Sequence, residues 1–318
     1  MTKKIISGLI ALSALYLSSP IAASALEITA LSNVPVEGDF VLGPGKVELF
    51  LEPGETVTRE LNVTNRSGKP LKVSLDIEDF TGDSVNSTLL LGDEKGPYSL
   101  KDFLAPEEKS FTLAHGEKAN LPVTISLPAD TEPGGRYGAV IVRVEPEALN
   151  GEEISNEAQG QVALVSRLAT LFFIRVKGET KEDGALKTFT TDKKFYQKGP
   201  VNFSVVYENK GSVHLNPYAN IEIKNAFGKK IDNLEVRPYF VMPGFTREKQ
   251  ASWQRGLALG RYTATISLNR GYANLTDEVQ VSFWIIPLKF ILIAAGVIFF
   301  IALIAWLFLS KFELKRKK

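Results

Sequence analysis

Few residues in this chain can do chemistry. His115 and His214 are the two histidines, and cysteine is absent. A thiol nucleophile and a histidine–cysteine metal cluster are therefore excluded. The carboxylates are grouped. Asp76, Glu78, Asp79 and Asp83 form one cluster, and Glu145, Glu147, Glu152, Glu153 and Glu157 form another. Oxygen ligands of this kind suit Ca²⁺, but neither cluster has EF-hand spacing. Two carboxylates across a cleft would serve a glycosidase, yet nothing in the spacing makes a pair converge. No G-x-S-x-G elbow and no phosphate-cradling glycine loop occurs. The reading is of a protein that is not an enzyme, with no catalytic, cofactor or metal site.

Two tyrosines stand out for their setting. Gly135-Arg136-Tyr137 and Gly260-Arg261-Tyr262 each open a late strand. This resembles the tyrosine corner of immunoglobulin-like domains, where the hydroxyl bonds back to nearby backbone. Tyr137 and Tyr262 are thus expected to be structural.

The elements that position these residues read as strands. Leu71, Val73, Leu75 and Ile77 alternate with Lys72, Ser74, Asp76 and Glu78, a period of two with one wet face. Ala119 to Leu127 alternates likewise, and Pro122 within it suggests an edge strand or a late start. Val162 to Val176 is long, apolar and β-branched. Residues 80–109 read as an excursion with a short helix near Leu100 to Leu104. Lys177 to Gly184 is a polar linker, after which Val201 to Tyr207, Ile221 to Ile223, Tyr262 to Leu268 and Val279 to Phe283 alternate again. Leu61 to Pro70 and Phe203 to Pro217 echo each other: an alternating strand, an Asn, a Gly and a Pro. The expected fold is all-β, two tandem immunoglobulin-like β-sandwiches at 26–178 and 179–284, followed by one C-terminal transmembrane helix at 285–310.

The ends set the expected location. Phe290 to Ser310 carries no charge over 21 residues, and a helix of that length spans roughly 30 Å, a bilayer core. Trp284 and Trp306 lie near its ends, and Lys311, Lys315, Arg316, Lys317 and Lys318 follow, offset by Glu313. A basic tail at 311–318 predicts a cytoplasmic C-terminus and an extracytoplasmic bulk. Lys3 and Lys4, an apolar run and Ala23-Ser24-Ala25 predict a signal peptide at 1–25. The chain has 37 basic and 36 acidic residues. Without Lys3, Lys4, Lys289 and the five tail cations 29 basic remain, and without Glu313 35 acidic remain, so the middle is near −6. That disfavours nucleic acid as a partner.

With these motifs in place, the layout resembles the WxL-interacting proteins of Gram-positive cell surfaces. The residues that carry the likeness are Leu49-Phe50-Leu51-Glu52-Pro53-Gly54, Leu61-Asn62-Val63-Thr64-Asn65 and the strand Gly138 to Val142. The resemblance implies a membrane-anchored binding or scaffolding protein. It would hold a surface protein or a cell-wall polymer, peptidoglycan included, at the envelope. The alternative is a structural or accessory stalk of a membrane-associated complex, without ligand binding of its own.

Overall fold

The computed structural model describes residues 25–82, 88–92, 94–146, 166–197, 199–254 and 259–311. The expected signal peptide, most of the acidic stretch 145–158, Asp83 and the basic tail beyond Lys311 lie outside these residues.

Eleven strands make up the first half: β1 Glu27–Ala30, β2 Phe40–Gly43, β3 Lys46–Leu51, β4 Thr56–Asn65, β5 Leu71–Gly82, β6 Thr88–Leu90, β7 Leu104–Pro106, β8 Ser110–Leu113, β9 Glu117–Ser126, β10 Gly134–Pro146 and β11 Ser166–Val176. They form two sheets. One runs β1-β9-β4-β2 with β7 also on β9. The other runs β3-β11-β10-β5-β6 with β8 also on β5. Alternation explains the layers: Leu71, Val73 and Leu75 are buried while Lys72 is exposed. Between the sheets lie Leu61, Val63, Val73, Leu121, Val140, Val142, Phe172 and Ile174. Each fully buried apolar side chain of this size stabilises by about 1.5–3 kcal/mol. The chain changes sheet between Gly43 and Lys46, and β3 then pairs β11 in parallel.

Two expectations change here. The helix near Leu100 is a single 3₁₀ turn, Lys101–Phe103. Strand β9 is no edge strand, since it pairs β4 along its length. Its other side meets β1 over residues 117–120 and β7 over 123–125. Pro122 sits in the gap, where one neighbour ends and the next begins. Its carbonyl accepts the Glu107 N–H at 3.0 Å on that side, and no N–H is needed there.

The second half has eight strands: β12 Gly184–Thr191, β13 Phe195–Tyr196, β14 Val201–Asn209, β15 Tyr218–Asn225, β16 Lys230–Val236, β17 Thr246–Trp253, β18 Gly260–Asn269 and β19 Thr276–Ile285. Sheet β12-β14-β17 faces sheet β13-β19-β18-β15-β16 over Phe203, Val205, Tyr207, Ile221, Trp253, Ile266 and Phe283. The sequence echo has a structural counterpart. Asn65 ends β4 and Asn209 ends β14, both fully buried. The Asn65 amide donates to the Lys69 and Leu113 carbonyls, and its Oδ1 accepts the Ser67 N–H. The Asn209 amide donates to the Val213 and Val241 carbonyls, and its Oδ1 accepts the Gly211 N–H. Each amide closes a turn that would otherwise strand buried backbone groups.

After Ile286 and Pro287 comes helix α1, Leu288–Lys311. Within it Leu292–Ser310 has mean hydropathy 2.9 and is not covered by the rest of the chain. The protein is thus mostly β with one C-terminal apolar helix long enough to cross a bilayer.

Candidate functional site

A third apolar cluster joins the two halves. Phe80, Tyr137, Ala139, Ile141 and Phe173 come from the outer face of the β10–β11 sheet, and Met242 comes from the second half. Phe240 and Phe245 pack against it, with Phe173 and Phe240 rings 4.7 Å apart. Polar groups stitch its border. The Tyr137 hydroxyl accepts the His214 backbone N–H at 2.8 Å. His214 is itself fully buried, and its Nε2 lies 2.7 Å from Glu48 Oε1. Arg175 donates to the His214 carbonyl at 3.0 Å and to Glu182 at 2.6 Å. Lys46 pairs with the other Glu48 oxygen at 2.6 Å.

Electrostatics follow from this packing. The hydrogen bond from His214 and the nearby Lys46 hold the Glu48 carboxyl down at about 2, against the opposing effect of burial. Burial pushes the Tyr137 phenol far above its ordinary range. A charged carboxylate beside a buried imidazole fastens one half to the other.

The sequence-derived candidates fall at different places. Tyr137 is buried in the seam, and its hydroxyl bonds to His214 of the other half, not to preceding backbone. Tyr262 is buried in the second core, its ring 5.4 Å from Trp253 and stacked on Phe283 at 5.8 Å. His115 fastens a loop: its Nδ1 accepts the Gly68 N–H at 3.1 Å and its Nε2 lies 3.2 Å from the Val34 carbonyl. Asp76 pairs with Arg143 at 2.9 Å, and Glu78 with Arg167 at 2.7 Å. Asp79 is fully buried and accepts the backbone N–H groups of Gly96, Leu100 and Lys101. Among the described residues no three His, Asp or Glu side chains converge as metal ligands do. The seam itself was not legible, because Glu48 and His214 are 166 residues apart.

The second feature is an open strand edge. Strand β11 pairs β10 from Ser166 to Val176, but β3 covers its other side only from Leu171 onward. The Leu171 N–H points to that side, reaching the Gly45 carbonyl at 3.1 Å. Backbone groups alternate along a strand, so Arg167 and Ala169 direct their N–H and C=O the same way. Among the described residues no strand meets them there. Leu168, between them, is 42% exposed, and Val41 on the edge strand β2 is 42% exposed. This arrangement can accept an extended polypeptide by backbone pairing.

No family model and no curated protein matches the chain. Among solved structures it is similar to the class 5 fimbriae chaperone CfaA, at 10% identity over 78% of this chain and 100% of that one, with a TM-score of 0.37. It is also similar to a chain of the CsuC–CsuE chaperone–tip adhesion subunit complex of Acinetobacter baumannii, at 12% identity, 66% and 89% coverage and TM-score 0.36. A third is from the SafA pilin–SafB chaperone complex of Salmonella enterica, at 15% identity, 76% and 96% coverage and TM-score 0.36.

The resemblance to WxL-interacting proteins is corrected by these findings. Of the solved structures named above, one is a fimbriae chaperone and two are chaperones in complex with a tip adhesion subunit or a pilin. The motifs behind the earlier likeness encode a Pro-Gly turn and alternating strands, local chemistry that many sandwiches share. The reading as a scaffold that holds a surface protein or peptidoglycan, and the separate stalk alternative, are corrected as well.

Proposed function

We propose that this chain is an extracytoplasmic subunit chaperone. It takes an extended segment of another exported polypeptide along the open edge of β11, and does no catalysis of its own. The observation that carries the reading is the backbone of Arg167 and Ala169, which no strand among the described residues pairs on its outward side, beside exposed Leu168. Such an edge gives affinity through main-chain hydrogen bonds, with alternate side chains adding selectivity. Residues 26–178 and 179–284 act as two immunoglobulin-like sandwiches, α1 as the membrane anchor, and the basic tail keeps the C-terminus cytoplasmic.

The test uses the full chain in its native envelope with a photo-crosslinking residue in place of Leu168. The expected product is a covalent adduct to one extended segment of an exported protein. Ala169→Pro removes an outward N–H without touching the β10 ladder, and should abolish the adduct while the protein still folds. Adducts that persist in Ala169→Pro, or that form only with lipid, would sink the proposal.

A further inference from the structure

We propose that the end of the second half from which α1 leaves is a lipid-docking surface. It lies against the bilayer interface and sets how the chain stands on the membrane. The proposal rests on reading α1 as a membrane anchor. It goes beyond the strand-edge function, which concerns the other half of the molecule.

Strand register places the surface. Arg261 faces Trp284 across β18 and β19, and Trp284 faces Phe195 across β19 and β13. These three side chains therefore form a row on one outer face, while their neighbours Tyr262, Ile285 and Tyr196 are buried. Asn225, the last residue of β15, pairs Tyr262, so the β15–β16 hairpin projects at the same end. Asn225 Oδ1 accepts the N–H groups of Phe227 and Lys229, both at 3.0 Å, which fixes the shape of the tip. Leu259 precedes β18 at this end too.

The exposed side chains there are of one kind. Phe227 is 93% exposed, Leu259 66% and Phe195 63%. Among the described residues before α1, only Val36 is as exposed a large apolar side chain. Lys193, Lys194, Lys229, Lys230 and Arg261 are exposed at the same end. The acids nearby are engaged. Asp192 takes the Tyr196 hydroxyl and the Asn202 N–H, and Glu222 pairs with Lys224 and Lys230. Aromatic rings set among cations suit the headgroup region of an anionic bilayer.

The connection to α1 is short and strapped. The Trp284 N–H donates to the Lys194 carbonyl at 2.9 Å, and the Ile286 N–H to the Tyr196 carbonyl at 2.6 Å. From Trp284 to the first residue of α1 is four residues, at most roughly 14 Å of extended chain. An anchored helix thus keeps this end within reach of the interface, which argues for lipid as the occupant.

The chain has no cysteine, so single cysteines label cleanly. Phe227→Cys and Leu259→Cys would each carry a fluorophore, with Glu108→Cys in the first half and Ile298→Cys in α1 as references. Each full chain is reconstituted in phosphatidylcholine–phosphatidylglycerol vesicles. Lipid-borne spin labels should quench the probes at 227, 259 and 298, and aqueous iodide should quench only that at 108. If the probe at 298 is lipid-quenched while those at 227 and 259 respond to iodide like 108, docking is overturned and the anchor stands. If the probe at 298 escapes lipid quenching, the anchor fails and docking fails with it. Adding Lys193→Glu, Lys194→Glu and Arg261→Glu to the chain labelled at 227 should shift its quenching from lipid to iodide. Unchanged quenching there would overturn the role given to the cations.

Discussion

Glu48 and His214 meet at 2.7 Å across the seam, and the contact carries a pH dependence. A carboxyl held near 2 in the folded protein and near its usual 4.5 when unfolded adds stability above the unfolded value. That stability is lost as pH falls from about 4.5 towards about 2, and Glu48→Gln should show a shallower acid loss than the native chain. Thermal melts of both across that window check it; parallel curves would refute it. Tyr137→Phe removes the acceptor for the buried His214 N–H and should cost about 1–3 kcal/mol by denaturant titration. Gly135 is held open by the same hydroxyl, because a Cβ there would run into it. Gly135→Ala should therefore cost about 1–3 kcal/mol through overpacking, measured in the same way. At this scale the sequence exposed which residues are unusual but not what they meet. The Gly-Arg-Tyr spacing singled out Tyr137, whereas its partner lies 77 residues downstream in the other half.

Elements were more legible than contacts. Alternation located β5, β14 and β18, because one wet face imposes a period of two on the sequence. Alternation located β9 as well, but Pro122 reads locally as an edge signal and the strand is not at an edge. Only the sheet order reveals the gap between β1 and β7 that accommodates it. The paired asparagines follow from the echo of two sequence stretches. Asn65→Ala and Asn209→Ala should leave the buried Leu113 and Val213 carbonyls without their amide donors and cost about 1–3 kcal/mol, read from urea midpoints. Near-neutral effects at both positions would mean that water replaces the amide. The open edge of β11 was hidden for a different reason. Unpaired backbone has no side-chain signature, so it appears only once β3 is seen to stop at Leu171.

For the whole molecule, the polar linker marks a boundary between two halves, and the buried seam joins them across it. Phe80, Tyr137 and Phe173 pack with Met242 across it, so the native chain should unfold in one calorimetric transition. Tyr137→Ala empties the centre of that cluster and should split the transition in two. A native chain that already shows two peaks would mean the seam is weak. The linker is polar, and the second half binds it closely. Lys181 N–H donates to Ser212 Oγ, and Lys210 N–H donates to the Asp183 carbonyl. The short strapped passage from β19 into α1 has a mechanical consequence. Strand β19 lies inside its sheet, with ten residue pairs to β18 and two to β13. A pull between the helix and the outer half loads those ladders along the strand axis. Many hydrogen bonds perpendicular to the force must then yield together rather than one at a time. The passage into α1 is accordingly built to resist tension along the strand.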